Sequence, residues 1–161
     1  MKKIIQIISL LSFSFVITGC PYENTVPIDS PSIKINPKLL GSWQVQNDKN
    51  DIYKVTKLNE FTYAITEPNK EKNNYTLLTY ESVINGFSFL NMWEDEPGKA
   101  RQYALYKMDI KPNGSVTLAE VTDNITEHFT SADQLKKFVA ANMKNSYFYG
   151  KDEIQLIRKG E

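Results

Sequence analysis

The chain has 161 residues, with 19 Lys and Arg against 19 Asp and Glu and no long run of either sign. That balance excludes the basic footprint of a nucleic-acid-binding surface and a polybasic membrane patch. A single cysteine excludes an intramolecular disulfide, and a single histidine leaves too few ligands for a structural zinc.

At the N-terminus, Lys2 and Lys3 precede an apolar run from Ile4 to Ile17 that is broken only by Gln6 and scattered serines. Its 14 residues fall short of the ~18–20 that span a bilayer as a helix. They match the h-region of a secretory signal peptide. The stretch Val16-Ile17-Thr18-Gly19-Cys20 resembles the lipobox of bacterial lipoproteins, with Ile17 in place of the commonest leucine. The resemblance implies cleavage after Gly19, diacylglycerol on the Cys20 thiol and acylation of the new amino terminus. Residues 1–19 are then a removable signal, and the partner is a membrane, reached through lipid. Three acyl chains, at about 0.8 kcal/mol per buried methylene, hold a protein there without any membrane-spanning helix. Pro21 stands where aspartate favours inner-membrane retention in enterobacterial lipoproteins, so the resemblance points to the outer membrane. An ordinary signal peptide abutting a free cysteine is the competing reading. Removing 1–19 takes Lys2 and Lys3 with it and shifts the net charge from zero to −2.

Residues 20–37 read as a tether. Pro21, Pro27, Pro31 and Pro37 recur among polar residues without helical or strand period. Such chain is extended and semi-rigid at ~3 Å per residue, a reach of up to ~50 Å. Ile33 and Ile35 offer side chains for docking its last part onto the domain that follows.

That domain is expected over 38–161. Its patterning is mainly period two: Phe61, Tyr63 and Ile65 alternate with Thr62, Ala64 and Thr66, while Ala104, Tyr106, Met108 and Ile110 share a face. Asn85-Gly86 predicts a two-residue hairpin, because both residues tolerate positive φ. Lys111-Pro112-Asn113-Gly114 predicts a type I turn. Asn47–Asn50, Asn59-Glu60 and Pro68–Asn73 supply the other connections. The predicted strands are 41–47, 51–58, 61–67, 74–84, 87–93, 101–110, 114–122 and 153–159. Short links make them an antiparallel up-and-down meander, and closing it removes its exposed edges. The period changes over 131–145, where Thr130 or Ser131 can N-cap and Ala132, Leu135, Phe138, Val139 and Met143 form one apolar helical face. This helix is expected to cover a barrel end or a sheet face.

Gly41-Ser42-Trp43 resembles the Gly-x-Trp opening of lipocalins. The resemblance implies an eight-stranded barrel whose base is closed by Trp43, with Arg158 of the last strand packed across its indole; both residues are then structural. The Thr-Asp-Tyr motif of typical lipocalins is absent, and Thr122-Asp123-Asn124 matches it only in part.

Side chains for chemistry are sparse. His128 stands between Glu127 and Phe129 without a second histidine, and no Gly-x-Ser-x-Gly elbow, phosphate loop or dinucleotide fingerprint occurs. Glu94-Asp95-Glu96 lacks the spacing of a calcium loop. Arg101 and Tyr103 resemble the Arg-x-Tyr pair that grips a fatty-acid carboxylate in intracellular lipid carriers, and would share a face in a strand. The aromatic side chains suit a filled barrel or a cavity lining. The expectation is a non-enzymatic, membrane-anchored binding or accessory module with no cofactor and no metal. Its partner is a small apolar ligand or an envelope protein. The alternatives are a hydrolase built on Glu127, His128 and Asp123, and a purely structural envelope lipoprotein.

Overall fold

A computed structural model describes residues 22–67, 76–122 and 125–160. The export segment 1–19, Cys20, the polar turn at 68–73 and Asp123 lie outside the described residues. Strands β1 (Glu23–Asn24), β2 (Gly41–Val45), β3 (Asp48–Lys57), β4 (Tyr63–Thr66) and β5 (Leu77–Ile84) are followed by β6 (Phe87–Glu94), β7 (Tyr103–Ile110) and β8 (Val116–Glu120). Helix α1 (Ala132–Asn142) and strand β9 (Ile154–Arg158) complete the chain.

Strands β2 to β8 pair each with the next, and β9 pairs with both β8 and β2. The result is a closed eight-stranded antiparallel barrel, with β1 added outside it. The alternating sequence and the short links between strands account for this meander. Asn85 and Gly86 take φ of 51° and 83° between β5 and β6, the left-handed pair that a two-residue hairpin of matching twist requires. At the next hairpin the Gly114 amide donates to the Lys111 carbonyl at 2.9 Å, closing the expected turn.

The barrel wall separates an inner core from the packing on its outer side. Trp43, Tyr63, Leu90, Met108, Val116 and Leu118 fill much of the inside. Ile84, Phe89 and Leu105 point the other way, against Leu135, Val139 and Met143 of the helical region and against Tyr22 and Ile28. Burial on both faces explains why Phe89 to Met92 read as an almost continuous buried run rather than an alternating one.

Helix α1 begins where the Ser131 side chain accepts from the Gln134 amide. It lies on the outer sheet face, Leu135 and Val139 being fully buried there. Each such side chain contributes about 1.5–3 kcal/mol.

The stretch read as a tether differs from expectation over its described residues. Tyr22, Asn24 and Ile28 are buried, and β1 continues the sheet beside the start of β7. The Ile28 amide donates to Asn91 Oδ1 at 2.8 Å, and the Ile35 amide donates to the Glu60 carbonyl at 3.0 Å. Residues 22–36 form a strap across the wall, ending in a 3-10 turn at Pro37–Leu39. Prolines suit this strap because most of its backbone runs outside the barrel ladder.

Candidate binding site in the barrel

One end of the barrel is plugged. Trp43 and Arg158 are direct register partners on β2 and β9. The Arg158 guanidinium stands 4.8 Å from the Trp43 ring centroid. It also donates to the Leu40 carbonyl at 3.0 Å and to the Lys38 carbonyl, while Trp43 Nε1 donates to the Leu39 carbonyl at 2.8 Å. Gly41 is required by this arrangement. Its φ is +123°, and a Cβ there would come within 2.7 Å of Arg158 Nη1.

Above the plug the packed side chains leave two small apolar cavities. A lower cavity of about 60 Å³ is bordered by Leu39, Tyr63, Leu90 and Met108 among others. An upper cavity of about 130 Å³ is bordered by Tyr53, Leu77, Tyr106 and Ile154 among others. Trp43, Val55, Ile65, Met92, Leu118 and Leu156 line both, so the two adjoin along the barrel axis. Leu77, Met92 and Tyr106 also border a wider recess of about 390 Å³, whose polar walls include Glu23, Glu94, Glu96, Lys99 and Gln102. That recess is the mouth of the barrel.

Polar groups gather toward this end. The Tyr106 hydroxyl donates to Glu120 Oε1 at 2.8 Å, and the Tyr53 hydroxyl donates to Asp51 Oδ2 at 3.2 Å. Burial, then the bond to Glu120 and its charge, push the Tyr106 phenol well above its usual range, so Tyr106 stays a neutral donor. Lys99 pairs with Glu96 on the rim, which holds the Glu96 carboxyl low and the Lys99 ammonium high.

No protein-family model matches the chain, and no curated protein or solved structure matches it either.

The structure does not bring Arg101 and Tyr103 into that site. Even-numbered residues of β7, such as Ala104, Tyr106 and Met108, face the cavities or their mouth, so Tyr103 faces outward. Tyr103 is buried against Trp93 at 5.5 Å between ring centroids, and the Arg101 guanidinium lies 5.2 Å over the same indole. Arg101 and Tyr103 form an aromatic brace on the outside of the barrel. Strand parity turns Tyr103 out of the barrel, and Arg101, which precedes β7, stacks on Trp93, so the two do not meet inside the barrel as a carboxylate grip. Glu94, Asp95 and Glu96 sit at or beside the mouth, and no group of three metal-binding side chains converges among the described residues. His128 and Glu127 are exposed on the connection before α1, where the Glu127 carbonyl accepts from the Tyr22 hydroxyl at 2.9 Å.

Sequence reasoning missed the pairing of Tyr106 with Glu120. The signal was present, since a hairpin centred on Asn113 sets these two residues opposite each other. It also missed a half-buried clamp on the outer wall. Asp29 accepts from Ser82 Oγ and, at 2.9 Å, from Lys136 Nζ, while Asn91 Nδ2 donates to Ser82 Oγ at 2.8 Å. These residues lie far apart in sequence and tie strap, wall and helix together.

Proposed function

We propose that this chain is a lipid-anchored envelope protein whose lipocalin-like barrel binds a small apolar molecule, without catalysis. The observation that carries the reading is the one-ended, apolar interior: a plugged base, two adjoining cavities and a polar mouth. Empty apolar cavities of this kind stay dry, and one of about 150 Å³ accepts benzene. The upper cavity alone is close to that size at about 130 Å³. Ligand sites are typically concave and apolar with a few polar groups at one side, as here.

The binding test is a calorimetric titration of the mature chain carrying Cys20→Ser with toluene, an apolar probe small enough for the cavities. Saturable one-to-one uptake is expected, weakened at least ~10-fold when Val55→Phe fills the shared wall of the cavities. Absence of saturable uptake by the unfilled barrel would overturn the reading.

The anchor rests on the lipobox resemblance. Fatty-acid labelling of the whole protein is expected to place lipid on Cys20. Label that persists in Cys20→Ala would remove the anchor from the proposal.

A further inference from the structure

We infer that the ligand is a single-chain amphiphile that enters tail first and presents a hydrogen-bond-donating head, hydroxyl, amide or ammonium, to the mouth. This deepens the barrel-binding reading and rests on it. The interior is narrow and graded. On the scale where ~150 Å³ holds benzene, the upper cavity has room for roughly six carbons and the lower for two or three more. The two lie in line, so one slender alkyl chain of about eight carbons matches their joint shape better than a fused ring system does.

Polarity appears only where that chain would end. Glu23 and Glu94 border the mouth, and Glu120 lies just inside it on the Tyr106 hydroxyl. Lys99 is the one basic residue on that lining among the described residues, and Glu96 already holds it. The Arg101 guanidinium stacks on Trp93, which borders the recess, and is not itself on the lining. A carboxylate or phosphate head would thus face like charge, with no unpaired cation on that lining among the described residues. A donor head finds acceptors on Glu23 and Glu94 instead. Like charge this close suppresses a partner, while opposite charge or a donor favours it.

The test displaces toluene from the Cys20→Ser chain at neutral pH with three probes of equal tail: octanol, octylammonium and octanoate. Octanol and octylammonium are expected to displace toluene at concentrations at least ~10-fold lower than octanoate. In the Glu23→Gln/Glu94→Gln double variant the gap between octylammonium and octanoate is expected to shrink several-fold. That comparison separates the charge of the mouth from the greater water solubility of octanoate. Equal or better displacement by octanoate, or an unchanged gap in the double variant, would sink the head-group inference while leaving the barrel reading in place. If neither toluene nor any probe binds, the barrel reading itself fails.

Discussion

Arg158 lies over Trp43, its guanidinium carbon 4.8 Å from the ring centroid, while its nitrogens reach back to the carbonyls of Lys38 and Leu40. One side chain from the last strand thereby joins the first barrel strand to the turn beneath it. Stacking at an exposed site contributes ~0.5–1 kcal/mol, and a hydrogen bond from a charged donor ~1.5–3 kcal/mol. Arg158→Ala is expected to lower the unfolding free energy by about 2 kcal/mol in urea titrations. Arg158→Lys should recover less than half of that, because an ammonium cannot stack and fork at once. Full recovery by lysine would mean that charge alone matters there.

Gly41 has two independent reasons to be glycine. Gly41→Ala is expected to cost about 2 kcal/mol, from a left-handed backbone and from contact with Arg158. In the Gly41→Ala/Arg158→Ala double variant the contact is gone and only the backbone cost remains. The combined loss should therefore be smaller than the sum of the single losses, as thermal unfolding of all four proteins can show.

Asp29 holds the strap to the wall. Asp29→Ala strands Lys136 and leaves Ser82 Oγ without its acceptor. A loss of about 2 kcal/mol is expected. The diagnostic measurement is amide exchange, in which protection at Ile28 should fall while protection at Leu118 in the barrel changes little. Equal loss at both positions would show that strap and barrel unfold as one unit.

Tyr22 predicts the alkaline limit. Burial first, and then the Glu127 charge, push its phenol from the usual 10.0 up to about 12. A phenol whose folded value is raised binds its proton more tightly in the native state. Its contribution is complete below pH 10 and is lost as pH climbs toward 12. Stability should fall across that window, and Tyr22→Phe should flatten the fall at a cost of about 1 kcal/mol from the lost bond to Glu127. Absorbance of tyrosinate followed alongside circular dichroism tests both halves.

The barrel was legible because its cues are local. Alternation located the eight strands of the ring to within a few residues, Asn85-Gly86 set a register, and Ser131 with Leu135 and Val139 marked the helix. Gly41, Trp43 and Arg158 pointed to closure across the full length of the domain. What stayed hidden depends on pairings between distant residues. Tyr22 and Ile28 are isolated apolar residues in proline-rich chain, and their burial becomes visible only when Val121 and Asn91 are beside them. Arg101 and Tyr103 were placed on a shared face, but which face was inside depended on a parity that period two alone does not set.

Strand β1 changes what an anchor at Cys20 would mean mechanically. Pro21 alone separates that cysteine from buried Tyr22, so the slack is about 7 Å of chain instead of a long leash. Glu23, on the rim of the opening, is at most about 11 Å of chain from the same cysteine. Lipid there would fix the attitude of the whole domain, with the rim at the headgroups and little freedom to swing. A molecule passing between bilayer and barrel would then have almost no water to cross.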